Sequence, residues 1–407
     1  MKILNYIILA AIVVAISEAA NAQFSLTGEF RPRTEVSHGY KSLAKPEQDP
    51  STITSQRTRL NFVLNTEWVK TKLVLQDVRN WGNQAQMVAN ENYATSVHEA
   101  WAEVFFTPEF SLQAGRQELN YDDQRIFGNV GWVQQGRSHD VVLLKYKKAI
   151  NVHFGIAHHE NDTITNNYYN GPDAYKDLQF LWINKTWKSN SLSFLFLNNG
   201  VQVMEKDSDQ VSKYSQTMGG RYSRKFDKWS LASNFYYQTG KHKNGKNISA
   251  MNFLVEASVK LGLTAGYEYL SGNSYDKTDK MYAFTPLYGT NHKFNGFMDY
   301  FYVGNHINSV GLNDVYLKYL WTKKKFSLNA DLHYFASAGM LKDGADKYLG
   351  TELDLTFSYK VHDIAALSAG WSSMFASESM ELLKGGDSST ANYWAYVMLT
   401  VTPSFIK

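Results

Sequence analysis

Apolar and polar positions alternate along this chain in runs of about ten residues, the length and period of a strand that crosses a bilayer in a barrel wall. In 24–33, Phe24, Leu26 and Phe30 share one parity, and Ser25, Thr27, Glu29, Arg31 and Arg33 share the other. In 56–65, Leu60, Phe62 and Leu64 alternate with Arg57, Arg59, Asn61 and Asn65. The same split recurs in 251–260, where Met251, Phe253, Val255, Ala257 and Val259 oppose Asn252, Glu256, Ser258 and Lys260. In 326–335, Phe326, Leu328, Ala330, Leu332 and Tyr334 oppose Ser327, Asn329, Asp331 and His333. In 349–359, Leu349, Thr351, Leu353, Leu355, Phe357 and Tyr359 oppose Glu352, Asp354, Thr356 and Ser358. A last run, 392–402, puts Tyr393, Ala395, Val397, Leu399 and Val401 on the apolar face.

The breaks between runs alternate in length. Eight are tight: Asn65-Thr66-Glu67, Thr107-Pro108-Glu109, Lys147-Lys148-Ala149, Lys188-Ser189-Asn190, Phe226-Asp227-Lys228, Lys260-Leu261-Gly262, Lys323-Lys324-Lys325 and Val361-His362-Asp363. Nine are long, near 35–54, 80–97, 120–138, 159–176, 203–211, 240–247, 273–309, 337–347 and 375–390. Short turns on one rim and long loops on the other predict an all-β, transmembrane, antiparallel up-and-down β-barrel of about 18 strands, with long loops outside the cell. One parity then meets lipid and the other a water-filled lumen. A soluble sandwich or propeller also alternates, but its core would bury the charges seen here on the inward parity at high cost.

The chain opens with Lys2, an apolar run from Ile3 to Ile16, and Ala20-Asn21-Ala22, the pattern of a cleaved secretory leader. The expected domains are a signal peptide, 1–22, and a barrel, 23–407, inserted into the outer membrane from the periplasm. No later segment has the roughly 18 consecutive apolar residues of a membrane helix. Cysteine is absent, the net charge is +3, and aromatics reach 14%, with 26 Tyr and 10 Trp. The charge gives no sign of a nucleic-acid partner, and the aromatics suit interfacial girdles.

Arginine is concentrated in the first third of the chain. Arg31, Arg33, Arg57 and Arg59 lie on lumen parity in neighbouring strands, where fixed guanidinium groups could line an anion path or brace the wall against Glu29, Glu99 and Glu103. Arg116 shares parity with Phe110, Leu112 and Ala114, so it belongs at the outer rim or behind a bulge at Gly115. Acids prevail in the lumen of the second half, with Glu256, Glu268, Asp331, Glu352 and Asp354, so the interior divides into a basic and an acidic arc. His158-His159-Glu160 with Asp162 could be read as a metal site, but polar runs of this kind are ordinary in loops. No spacing marks a hydrolase nucleophile, and no cofactor or enzyme activity is expected.

Residues 113–144 contain Gln113-Ala114-Gly115-Arg116-Gln117-Glu118-Leu119, Asp123-Gln124-Arg125-Ile126-Phe127-Gly128, Trp132, Gly136-Arg137 and Asp140-Val141-Val142-Leu143. This stretch resembles the alginate-export outer-membrane barrel family. Phe30-Arg31-Pro32-Arg33-Thr34-Glu35, Leu75-Gln76-Asp77-Val78-Arg79-Asn80-Trp81-Gly82, Tyr269-Leu270-Ser271-Gly272 and Leu287-Tyr288-Gly289 with His292, Phe294, Gly296 and Asp299 are similar to its pattern. The resemblance implies an 18-stranded, arginine-lined conduit for an acidic polysaccharide, working with periplasmic export components. Arg31, Arg33, Arg57, Arg59, Arg116, Arg125 and Arg137 become expected anion contacts, with Glu29, Glu99, Glu103 and Asp140 holding them. The acidic second half departs from a continuously positive pore. The function expected is therefore a passive outer-membrane channel for an anionic polysaccharide or other anionic solute. An uptake porin for small solutes is the alternative, with an outer-membrane enzyme or a closed structural barrel beyond it.

Overall fold

The computed structural model describes residues 22–87, 95–160, 169, 175–205, 210–306 and 308–406. Most of the expected leader, and Asp162, lie outside these residues. The strands are β1 (Gln23–His38), β2 (Ser51–Asn65), β3 (Val69–Asn80), β4 (Thr95–Phe105), β5 (Phe110–Gln117), β6 (His139–Lys147), β7 (Asn151–His158), β8 (Asp177–Trp187), β9 (Asn190–Met204), β10 (Gln210–Lys225), β11 (Trp229–Gly240), β12 (Ala250–Val259), β13 (Leu263–Leu270), β14 (Leu312–Lys323), β15 (Phe326–Ala336), β16 (Tyr348–His362), β17 (Ala365–Ala376), β18 (Asn392–Val401) and β19 (Ser404–Ile406). Each pairs antiparallel with its neighbours in chain order, and β1 closes the ring by pairing with β2 on one side and β18 on the other. The three-residue β19 continues β18 beyond Thr402-Pro403 along the same edge of β1. The result is a closed 18-stranded antiparallel barrel, as the alternation of turns predicts.

The tight turns have local causes. Thr66 accepts from the Val69 amide at 2.9 Å, and Thr107 from the Phe110 amide at 3.1 Å, each side chain closing its own turn. Gly262 takes φ +89, and a Cβ there would strike the Leu320 carbonyl. Outward parity is apolar around the wall: Leu60, Leu144, Phe154, Phe196, Phe253, Leu317, Leu332 and Val397 are all exposed. Trp68, Phe106, Trp187, Trp229 and Trp321 stand exposed near the tight-turn rim, the place of an interfacial girdle. A continuous apolar belt of this kind suits lipid and is unsuited to water.

The interior differs from a plain water-filled lumen in one arc. Val141, Leu143, Leu178, Phe180, Leu195 and Leu197 of β6, β8 and β9 point inward and are at most 4% exposed. The connection between β5 and β6, expected outside, folds into the barrel and packs Tyr121, Ile126 and Phe127 on them. Apolar wall and apolar loop dry each other, so the burial is mutual. Leu349 also departs from expectation. A register shift pairs Phe335 with Gly350 but Ala336 with Tyr348, and this bulge turns Leu349 from the lipid side into the core, where it is 0% exposed.

Candidate solute pathway

β1 and β2 set Arg31 opposite Arg57 and Glu29 opposite Arg59. Two facing guanidinium groups repel, and their surroundings offset this. Arg57 donates to Glu29 Oε1 at 2.6 and 3.0 Å. Arg59 donates to Gln76 of β3 at 2.7 Å, and further donors of the four arginines go to the inward loop between β5 and β6. Arg31 reaches the Gly131, Trp132 and Val133 carbonyls at 2.8, 3.1 and 3.1 Å. Arg33 reaches the Trp132 carbonyl at 2.8 Å and lies 4.3 Å over its ring. Arg57 reaches the Val133 and Gln134 carbonyls at 3.3 Å each, and Arg59 reaches Gln135 at 3.2 Å. All four arginines are at most 9% exposed. They hold main-chain carbonyls in place, and a loop stands between them and the open lumen.

The other expected site residues fall in three places. Arg125, 1% exposed, pairs with Glu268 at 2.7 Å and donates to Asn295 at 2.9 Å. Arg137 gives one N–H to the Gly289 carbonyl at 3.1 Å. Arg116 corrects an expectation: it lies on the outer face opposite in parity to buried Ser111, Gln113 and Gln117, and pairs there with exposed Asp140 at 2.9 Å. Its parity reading was sound; the pore-lining role implied by resemblance was not. Glu99 and Glu103 do not grip the arginines either; they pair with Lys72 and Lys145. Glu29, and Glu118 at 3.8 Å from Arg59, do so. Glu118 sits below the usual carboxylate range: burial pushes it up, but hydrogen bonds from His98 and Asn129 outweigh that.

The acidic arc repeats the device with the opposite polarity. The connection between β13 and β14 also turns inward. Glu352 accepts from the Met298 amide at 2.7 Å and Asp354 from the Phe297 amide at 3.3 Å. Asn295 donates to Glu268 at 2.8 Å and Asp314 at 3.0 Å, and His333 faces Asp314 at 2.8 Å. The two inward loops then join. The Gly128 amide donates to the Tyr288 carbonyl and the Thr290 amide to the Gln124 carbonyl, both at 2.9 Å. Backbones pass so closely that a Cβ on Gly289 would strike the Arg125 carbonyl.

Two cavities flank this seam. The upper, about 710 Å³, opens at the long-loop rim. Arg137, Lys176, Lys213, Lys241 and Lys243 line it with His139, Tyr175 and Tyr288, and no carboxylate lines it among the described residues. Neutral polar side chains such as Asn199, Gln202 and Gln238 complete the lining, with apolar surface from Ile248, Met281 and Leu287. Burial pushes the Arg137 guanidinium below its usual range. The lower cavity, about 100 Å³, is mixed in charge: Arg221, Lys293 and Lys318 stand with Asp123, Glu256, Glu268 and Asp314. Arg221 bridges Asp123 at 2.5 Å and Asn234 at 2.8 Å. On β11 between Asn234 and vestibule-lining Gln238 sits Tyr236, 1% exposed. The four vestibule lysines were missed in the sequence because lysine is ordinary in polar loops. His158 and Glu160 do meet, at 2.8 Å, with Asp177 at 2.5 Å from His158, and no metal-binding group of three is found among the described residues.

No family model matches the chain, and no curated protein does. Solved structures do match. The crystal structure of OpdQ from Pseudomonas aeruginosa superposes with TM-score 0.59 at 10% identity, covering 95% of this chain and 99% of its own. OccAB4 from Acinetobacter baumannii gives 0.62 at 13%, covering 94% and 98%. OpdK from Pseudomonas aeruginosa, solved with vanillate, gives 0.60 at 9%, covering 93% and 99%. These neighbours are Opd and Occ barrels; they support an outer-membrane β-barrel and give no support to the alginate-export family. The inward loops agree with that correction, since a polymer threading the lumen would have to displace both. The chain thus has, over nearly its whole length, the fold of these 18-stranded outer-membrane barrels.

Proposed function

We propose that the protein is a passive outer-membrane channel for small organic anions, an uptake porin in which solute gathers in the basic vestibule before passing the loop seam. The carrying observation is the vestibule itself: five cations and, among the described residues, no lining carboxylate, beside apolar patches from Ile248, Met281 and Leu287. Fixed cations in a recessed site concentrate anions locally, and the apolar patches accommodate a solute with an apolar body. A structural neighbour solved with vanillate, a small organic anion, supports the same solute class. The apolar outer belt supports a barrel seated in lipid, and on this reading residues 1–22 are its leader and the mature chain begins at Gln23. Planar-bilayer recording in a salt gradient tests the reading. A reversal potential of the sign for anion preference is expected; cation preference at low salt would refute it.

A further inference from the structure

The vestibule cations come from two walls. Arg137 and Lys176 stand with His139 beside the starts of β6 and β8. Lys213 lies on β10, and Lys241 and Lys243 follow β11. Only two of the five have an acidic partner among the described residues: Lys176 meets Glu160 at 3.4 Å and Lys213 meets Glu205, both acids half-exposed at the rim. Lysine is a compact point charge with rotatable donors, suited to oxyanions arriving from several directions. The wall beside β6 also holds an unfilled polar group. His139 is 5% exposed, its Nδ1 lies 3.0 Å from the Tyr175 hydroxyl, and its Nε2 is buried with no hydrogen-bond partner. Native interiors seldom leave such an atom unmatched. Tyr288 crosses the imidazole edge-on at 5.3 Å and helps fix the ring plane.

A solute with a single charge engages one wall. A volume of about 710 Å³ is that of a site for a whole small molecule, and it gives room for one anion to engage both. Resting on the channel reading above, we infer that the vestibule is a binding site for polyvalent small anions, with one oxyanion group held by Arg137 and His139 and another by Lys241 and Lys243. The solute class this favours is compact di- and tricarboxylates or phosphorylated small molecules, ahead of monocarboxylates of equal body.

Benzoate and benzene-1,3,5-tricarboxylate share one ring and differ in charge, so they separate valence from shape. Added on the long-loop side of the full-length channel in a bilayer, the tricarboxylate should interrupt single-channel current at a concentration at least tenfold below benzoate. The K241Q/K243Q double variant should shrink that ratio below threefold, because it weakens tricarboxylate block far more than benzoate block. H139F should shorten tricarboxylate dwell times. Equal block by both probes in the wild-type channel, or an undiminished ratio in the double variant, overturns the inference. A wild-type channel with anion-preferring reversal potential but equal block would refute this inference alone, whereas a cation-preferring reversal potential would refute the channel reading beneath it.

Discussion

The two charged arcs of the lumen do the same mechanical job with opposite chemistry. On β1 and β2, guanidinium groups donate to the carbonyls of residues 131–135; on β16, carboxyl groups accept from the amides of residues 297 and 298. Each arc thereby satisfies one polarity of main-chain group where water is scarce, which such groups require. The difference lies in what each arc needs from its charge. A guanidinium has several donors in a fixed fork and can serve two or three carbonyls at once, and the four arginines repel unless Glu29 and Glu118 stand among them. An amide needs only one oxygen, charged or not. Charge should therefore be indispensable on the basic side and dispensable on the acidic side.

The largest effect is expected at Arg57. Its replacement by Gln would leave Glu29 without its closest partner, free the carbonyl of Gln134 and leave Val133 to Arg31 alone. Breaking a buried pair in this way costs about 3–5 kcal/mol. Heat-modified mobility of the folded barrel should fall to lower temperature, and conductance should rise as the loop loosens. On the acidic side, Glu352→Ala should expose the Met298 amide to faster hydrogen exchange and cost about 1–3 kcal/mol, the penalty for an orphaned buried donor. Glu352→Gln keeps an oxygen for that amide, so its stability should match wild type. Equal damage from Gln and Ala at Glu352 would erase the contrast between the arcs.

Gly296→Ala probes the same clamp through shape. Its φ of +83 disfavours a side chain, and a Cβ would meet the Glu352 carboxyl at 2.5 Å. A cost of about 1–3 kcal/mol follows for the strain, read as a lowered melting temperature. The smallest effect concerns acid. Asp299 is held below the ordinary carboxylate range: burial pushes it up, but the charge and hydrogen bond of His292 and the hydrogen bond from Tyr40 win. A carboxylate depressed in the fold stabilises above its unfolded pKa of about 3.9, and that stability fades as pH drops through the folded value. Hydrogen exchange around Tyr40 and Asp299 should accelerate below about pH 4, and Asp299→Asn should flatten the dependence.

Much of the barrel was legible because its causes are local and periodic. The two-residue alternation marked lipid and lumen faces in β1, β2, β12 and β15, and the tight turns marked strand ends within a few residues. Leu349 was misplaced because one extra residue at a bulge inverts parity and leaves no trace in composition. The division into basic and acidic arcs was also visible, since charge on inward parity is rare unless something answers it. What answers it was not visible. Loops 118–138 and 271–311 meet through backbone hydrogen bonds and ring contacts between residues some 160 positions apart, as in Phe127 with Tyr288. Phe127-Gly128 and Leu287-Tyr288-Gly289, which the sequence marked only through a family resemblance, form the seam. The vestibule lysines carried no pattern, because only the fold brings β6, β8, β10 and β11 around one cavity.

On the proposed reading the arginine arc holds a loop while the vestibule sets ion preference. The most direct test is reversal potential and conductance measured side by side at low salt for wild type, R57Q/R59Q and K241Q/K243Q. K241Q/K243Q should move the reversal potential toward cations at nearly unchanged conductance, and the shift should fade near molar salt as screening shortens to about 3 Å. R57Q/R59Q should chiefly raise conductance. If R57Q/R59Q instead abolishes anion preference at unchanged conductance while K241Q/K243Q leaves it intact, the arginines line the path and the vestibule does not set ion preference.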